Sequence, residues 1–345
     1  MLATLMPRVL PRATYFARKL TEAATTAIVI RSLHKRLWSG PFEPPPSKDA
    51  RALQARHHRL LHEDFENAER GVYPRALLWT SPWLGAWREA PRTWWEVSRI
   101  VARAKRGGWG ELPAEANDAR YPAYYRRTFH WQTDGWFSER SARLYDPGVE
   151  LLFGGTADAM RRAVLPELLR ALADVPSPRL LDVAMGTGRF LGQLHACLPD
   201  ARLHGLDLSP AYVDHARRAL AHVPSLTLLC ENAETMSLPD ASLHAATCIF
   251  TFHELPLHAR RRVVAEVHRV LRPGGVFALV DAAQADDGAE IFWFLERFPR
   301  VYHEPYFKGY LREPLPSLMQ DAGFELLLDR PAFVSRVVLG RKPAR

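Results

Sequence analysis

The chain has 345 residues, 47% of them hydrophobic, and a formal net charge of +8. That is enough to bury one large core or two smaller ones, and it excludes a wholly disordered chain. The three cysteines, Cys197, Cys230 and Cys248, have no paired spacing and fall in predicted core elements. They argue against a disulfide framework or a zinc site and fit a reducing compartment. With no run of about 18 apolar residues, no spanning helix is expected.

The charge is uneven. Residues 1–150 hold 24 Lys+Arg against 16 Asp+Glu, whereas residues 151–345 hold 22 of each. Nine of the ten tryptophans also precede residue 150, so this region is expected to be folded or surface-bound rather than a disordered arm.

In chain order, residues 1–39 read as a basic amphipathic helix. Phe16, Leu20, Ala23, Ala27, Ile30 and Leu37 share one face. Arg12, Arg18, Lys19, Arg31, Lys35 and Arg36 stand against a single Glu22. Three readings stay open for residues 1–38: a helix packed on the protein's own body, a peripheral membrane-surface helix, or a mitochondrial-type targeting segment. Ala- and Arg-heavy composition points to a cytoplasmic, bacterial setting. Residues 40–48 (GPFEPPPSK) read as a Pro-rich linker. Residues 49–150 read as a helical, aromatic-rich cap. It opens on a charged helix in which His58 and His62 stand at i, i+4. No third ligand is evident, so a solvated helix face is expected and no metal is assigned. Pro82 and Pro91 break the helices predicted over residues 74–106, and aromatics crowd residues 120–146.

Residues 151–345 form the predicted α/β domain. LLDVAMGTGRF (180–190) is a buried strand, a glycine turn and the start of an amphipathic helix. A strand feeding a helix through glycines gathers free N–H groups at one point and suits an anionic ligand. The dinucleotide pattern would need a third glycine where Leu191 stands, so nicotinamide and flavin are disfavoured. A second strand, Leu203–Leu206, ends in Asp207, suited to a ribose, before Ser209-Pro210 opens a helix. A third strand, Leu226–Cys230, runs into Glu231-Asn232-Ala233-Glu234. A fourth, Ala245–Phe250, ends in Thr251-Phe252-His253-Glu254. A helix then stops at Arg272-Pro273-Gly274-Gly275, and Val276–Val280 form a fifth strand. Another helix is expected near 312–322.

The order LDVAMGTGRF, GLDLS, NAETMSLPDASLHAATCIFTFHEL and VHRVLRPGGVFALVD resembles the class I S-adenosylmethionine-dependent methyltransferases, over roughly residues 165–281. Within them it is most similar to the ubiquinone- and menaquinone-biosynthesis branch. The resemblance implies a Rossmann-like sheet with helices on both faces, here with a mainly helical N-terminal extension. It implies S-adenosylmethionine as cofactor, with Asp182, Ala184, Gly186 and Gly188 around its methionine portion. Asp207 and Leu208 would meet the ribose, and Asn232 and Ala233 the adenine, with Phe250 beside the cofactor. The family usually has glycine where Ala184 stands.

Methyl transfer needs an aligned acceptor, and a base only where the nucleophile arrives protonated. His253 and Glu254, past the fourth strand, are the candidate catalytic groups, with His303 from FPRVYHEPYFKGY (298–310). Tyr302 and Tyr306 of that stretch, and Tyr124, Tyr125, His130 and Trp131 of the cap, are the candidate acceptor walls, with Trp136 and Phe137 completing a lid from the cap. Packing of the cap's own core is the plainer reading of these aromatics. The expected activity is O- or C-methylation of a small hydrophobic or aromatic acceptor. One alternative is an RNA or other nucleic-acid methyltransferase, disfavoured because base N-methylating enzymes usually carry an (Asp/Asn)-Pro-Pro-aromatic turn where Thr251–Glu254 stand. The other is a non-catalytic interaction or regulatory protein of the same fold. Oligomeric state is not legible.

Overall fold

A computed structural model describes residues 2–37, 46–82, 96, 98–100, 102–103, 106–108, 110–128 and 134–344. Most of the Pro-rich linker, the stretch 83–95, and His130 and Trp131 lie outside the described residues.

The strands are β1 (Arg179–Val183), β2 (Arg202–Asp207), β3 (Leu226–Cys230), β4 (Leu243–Ile249), β5 (Leu271–Ala282), β6 (Glu325–Ala332) and β7 (Ser335–Arg341). They form one seven-stranded sheet in the order β3-β2-β1-β4-β5-β7-β6. The first five are mutually parallel, and β7 runs antiparallel to both β5 and β6. Central strands read as near-continuous apolar runs because helices cover the sheet; Leu180, Leu181, Ala245, Ala246 and Leu279 are fully buried. β3 is an edge. Cys230, expected in the core, is therefore exposed at its end.

One expectation near β5 needs correction. The Arg272–Gly275 cluster ends the preceding helix at Val270, but it is already strand: Leu271 pairs with Leu243 before a register shift to Ala245–Val276. The tolerance comes from Gly275, where a Cβ would sit 2.9 Å from the Arg272 carbonyl and 3.1 Å from that of His244. The β6–β7 hairpin was not legible as strands, since ELLLDRPA lacks clean alternation.

The helices that matter for the site are α1 (Leu2–Leu37), α2 (Ser47–Glu69), α3 (Glu139–Leu152), α4 (Ala157–Arg162), α5 (Leu165–Ala171), α6 (Arg189–Cys197), α7 (Pro210–Ala219), α8 (Leu257–Val270), α9 (Ala289–Tyr302), α10 (Phe307–Tyr310) and α11 (Leu315–Asp321). α6 and α7 start where the turn chemistry predicts. Gly188 caps α6 with a left-handed φ of 78°, and the Ser209 side chain accepts from the Tyr212 amide ahead of Pro210 at the first turn of α7. α3 runs through residue 150, the expected domain edge, so cap and sheet share a continuous helix there.

α1 packs on the body, but not through the expected stripe. Among the residues of α1 whose side chains are described, the buried ones are Tyr15, Lys19, Glu22 and Thr26, while Leu20 is 70% exposed. The buried face is polar and largely paired, although Thr26 Oγ1 has no hydrogen-bond partner among the described residues. Tyr15 Oη donates to Asp64 Oδ2 at 2.8 Å and Tyr73 Oη to Asp64 Oδ1 at 2.7 Å. Arg162 forks onto the same carboxylate at 2.8 and 2.7 Å. Lys19 Nζ bonds Glu22 at 2.8 Å and the Gly155 carbonyl. Buried charges persist only when paired and hydrogen-bonded, and such pairing hides a helix face from apolar periodicity. His62 turns toward α1, its ring 4.6 Å from that of Phe16 and its Nδ1 3.2 Å from Arg12.

Candidate active site

The strand order reverses between β1 and β4, and a cleft opens at the carboxyl ends of the strands on either side, as expected for an open α/β sheet. Its empty volume is ≈ 1080 Å³, counted out to open solvent.

The floor is built by short local sequence. After β1 the chain turns through Ala184 (φ 53°) and Gly186 (φ 57°), both left-handed. For alanine this conformation costs roughly 1–2 kcal/mol, which is a physical reason for glycine at that position in the family. At Gly186 an added Cβ would meet nothing within 4 Å, so its open face belongs to the cleft. At Gly188 a Cβ would lie 2.7 Å from Leu220 Cδ1 and 3.1 Å from Ala216 Cβ. Gly188 thus serves close packing of the turn on α7 rather than the cleft lining, a correction to its expected place against the cofactor.

Asp207 closes β2 and ties the floor together. Its Oδ2 accepts from the Gly186 amide and its Oδ1 from the Ser209 amide, each at 2.9 Å. Burial pushes this carboxyl up to about 6, and the Ser209 and Gly186 amides pull the other way. Asp207 lines the cleft, where a ribose hydroxyl would donate to it. Asp182 is more strongly affected: burial pushes it up to about 7, against the hydrogen bond from Thr247 Oγ1 at 2.6 Å and the charge of Arg161. Leu208, Asn232 and Ala233 line the β2 and β3 side. Asn232 Oδ1 accepts from the Glu234 amide at 2.9 Å, which folds the loop after β3.

At the end of β4, Phe250 lines the cleft with a left-handed φ of 56°. Such a conformation is unusual for a bulky residue and marks a position held by its surroundings. Its ring stacks 6.3 Å from Phe153, and the Arg161 guanidinium lies over it at 5.4 Å. The next turn hangs on Asp281 at the end of β5. That fully buried carboxylate accepts from the amides of Thr251 (2.8 Å), Phe252 (2.6 Å) and Ala282 (2.7 Å), and meets His253 Nδ1 at 2.6 Å. Burial alone would lower the His253 pKa, but Asp281 overrides it, helped by Glu304 and Glu254, and the net shift is upward.

His253 and Glu254 therefore part company. Glu254 lines the cleft, whereas His253 sits behind it, 6.1 Å from the Phe307 ring and 6.3 Å from Tyr310. Its Nε2 is 3.9 Å from Glu254 Oε1. The expectation that His253 faces the cleft is corrected: the Asp281 anchor draws the imidazole inward. His303 caps α9 in a left-handed conformation and is not part of the lining.

The roof comes from the cap, with Arg161 added from α4. Tyr124, Tyr125, Trp136, Tyr145, Asp146 and Arg161 all line the cleft. Tyr124 Oη donates to Glu234 Oε1 at 2.6 Å, and Tyr125 stacks on Tyr121 at 5.3 Å. Trp136 packs edge-on to Tyr145 and Tyr212, and its carbonyl accepts from Ser209 Oγ. Tyr306 is outside the lining but reaches Tyr124 ring to ring at 6.5 Å. Tyr302 closes α9, its side chain outside the described set. Trp136 was expected as a lid residue, whereas Tyr145, Asp146 and Arg161 were missed as site residues. The aromatic crowding of 120–146 signalled Tyr145, and nothing local signalled Asp146 or Arg161.

The family described as Methyltransferase domain matches residues 180–275. The chain is similar to a demethylmenaquinone methyltransferase of Deinococcus radiodurans, 37% identical over 142 residues, or 41% of this chain and 56% of that protein. To the ubiquinone/menaquinone biosynthesis C-methyltransferase UbiE of Methylobacterium nodulans it is 34% identical over 148 residues, covering 42% and 57%. The match thus spans little more than half the length of these two relatives. With a demethylmenaquinone methyltransferase of Thermus thermophilus the identity is 30% over 229 residues, 60% of this chain and 100% of that protein.

Proposed function

We propose that this chain, which belongs to the class I S-adenosylmethionine-dependent methyltransferases of the ubiquinone- and menaquinone-biosynthesis type, methylates oxygen or carbon of a small hydrophobic acceptor with a quinone-like aromatic ring. Its cofactor is S-adenosylmethionine, and the cleft residues fit that group. Gly186 offers an open backbone face, Asp207 and Asn232 stand at successive strand ends, and Asp146 Oδ1 is a buried oxygen with no hydrogen-bond partner among the described residues. When bound, the cofactor supplies a methyl group already activated on a sulfonium.

The observation that carries the acceptor reading is the aromatic wall of Tyr124, Tyr125, Trp136, Tyr145 and Phe250 along the cleft. Rings of this kind hold a flat apolar acceptor in place and exclude water, the two contributions methyl transfer asks of a protein. Where the acceptor arrives protonated, Glu254 is the carboxylate at the cleft able to take the proton. His253, held by Asp281, positions it. The excess cations of residues 1–150, which would favour nucleic-acid binding, are partly engaged inside the protein, as Lys19 is with Glu22 and Arg56 with Glu290. The outward Leu20 and Ile28 of α1 are where a membrane carrying a hydrophobic acceptor would touch; co-sedimentation with anionic vesicles tests that contact.

The test of function is transfer of labelled methyl from S-adenosylmethionine to a panel: a short-chain demethylmenaquinol, a simple catechol and total RNA. Label in the aromatic small molecules and not in RNA is expected. Label in RNA alone overturns the acceptor class. Cofactor binding with no transfer to any acceptor favours the regulatory alternative.

A further inference from the structure

We propose that Arg161 and Asp146 bind the zwitterionic amino-acid end of the cofactor, Arg161 its carboxylate and Asp146 its ammonium. The proposal rests on the S-adenosylmethionine reading, but neither residue lies in the matched segment 180–275.

Arg161 is only 4% exposed, yet it lines the cleft. Among the described residues its one side-chain hydrogen bond runs from Nη1 to Asp158 Oδ1 at 3.0 Å. Asp146 Oδ1 stands 3.7 Å from Nη2, too far for a hydrogen bond. A guanidinium has five N–H donors, so most of them remain to be used. Asp158 is already shared, because Arg189 holds its other oxygen at 2.5 Å. Asp146 shows the opposite deficit. Its Oδ2 accepts from Thr187 Oγ1 at 2.7 Å, while Oδ1 is buried without a donor. Surplus donors on a buried cation beside a buried carboxylate oxygen that lacks one are the complement of an amino acid's two charged groups.

Position agrees with chemistry. Asp207 and Asn232 assign the nucleoside to the β2 and β3 side of the cleft. Arg161 and Asp146 flank the other end, against Phe250 after β4 and Thr187 after β1. An extended ligand with its nucleoside on Asp207 therefore delivers its amino-acid end between them.

Calorimetry with two probes tests this on the full-length protein: S-adenosylhomocysteine, and 5′-methylthioadenosine, which keeps the nucleoside and thioether but lacks the amino-acid end. Arg161→Met and Asp146→Asn are each expected to weaken S-adenosylhomocysteine on the order of ten- to a hundred-fold. Methylthioadenosine affinity should stay within about twofold of wild type, a difference a general loosening of the cleft would not produce. Asp146→Asn keeps an acceptor for Thr187, so it reports even where Arg161→Met fails to fold. Equal loss for both probes, or no loss for S-adenosylhomocysteine, overturns the proposal alone. Wild-type protein that binds neither probe overturns the cofactor reading and the proposal together.

Discussion

The floor and the roof of the cleft are made of different material. The floor, at the ends of β1, β2 and β3, presents backbone amides, an open glycine face, the buried carboxyl of Asp182 and the half-buried one of Asp207. The roof presents aromatic rings, a guanidinium and a carboxylate from residues 124–161. Floor contacts close over short stretches: Asp207 holds Gly186, 21 residues before it, and Ser209, two residues after. Roof contacts close over long ones, 110 residues for Tyr124 to Glu234 and 73 for Trp136 to Ser209. A floor built locally can be shared by a whole family. A roof assembled from distant pieces is free to suit one acceptor.

If the roof is held by its buried charges, the largest effect falls there. Asp64→Ala leaves the Arg162 guanidinium and two tyrosine hydroxyls without their common acceptor. A loss of about 3–5 kcal/mol in urea unfolding is expected. A loss under about 1 kcal/mol would mean that apolar packing, not the ion pair, holds α1 and α2 to the body.

Catalysis separates the two sides next. Glu254→Gln should lower turnover on the true acceptor about a hundredfold, with S-adenosylhomocysteine affinity close to wild type. His253→Ala should cost less, because His253 acts through Glu254. Steady-state kinetics giving the reverse order would return the base to His253.

On the floor, Asp182 makes apo-protein stability depend on pH. Its folded pKa of about 7 lies above the unfolded carboxyl value, so its contribution is full below about pH 4 and is lost as pH rises through 7. Asp182→Asn keeps an acceptor for Thr247 and removes that loss. Thermal melts should show the variant more stable than wild type by roughly 2 kcal/mol at pH 8 and scarcely different at pH 4. Equal melts at pH 8 would show that Asp182 titrates normally.

The smallest effect is at the turn itself. Ala184→Gly relieves a left-handed alanine and should stabilise by about 0.5–1 kcal/mol, since glycine's greater entropy loss offsets part of the gain. A destabilised variant would mean that the Ala184 methyl makes a packing contact worth more than the strain.

Much of the floor was legible before any coordinates. Gly186 and Asp207 were placed by a strand-turn-helix pattern and a strand end, Asp182, Asn232 and Ala233 by the family resemblance, and all of them line the cleft. Gly188 was legible as a turn residue but not as a packing residue, because its neighbour Leu220 comes from another helix. His253 and Glu254 are adjacent in sequence and looked equivalent. They separate only because Asp281, 28 residues on, captures one of them.

By itself the sequence determined the alternation of strands and helices, the glycine turn, and the acidic residue that closes β2. These follow from short-range backbone rules: apolar runs for buried parallel strands, glycine for a left-handed turn, serine and proline for a helix start. Only the tertiary structure decided which face of α1 is buried, which of two neighbouring residues meets the cleft, and that Asp146 and Arg161 stand at its far end. Each depends on a charge meeting its partner across a long loop. Periodicity records burial of apolar groups and is blind to a charge buried with its counter-charge.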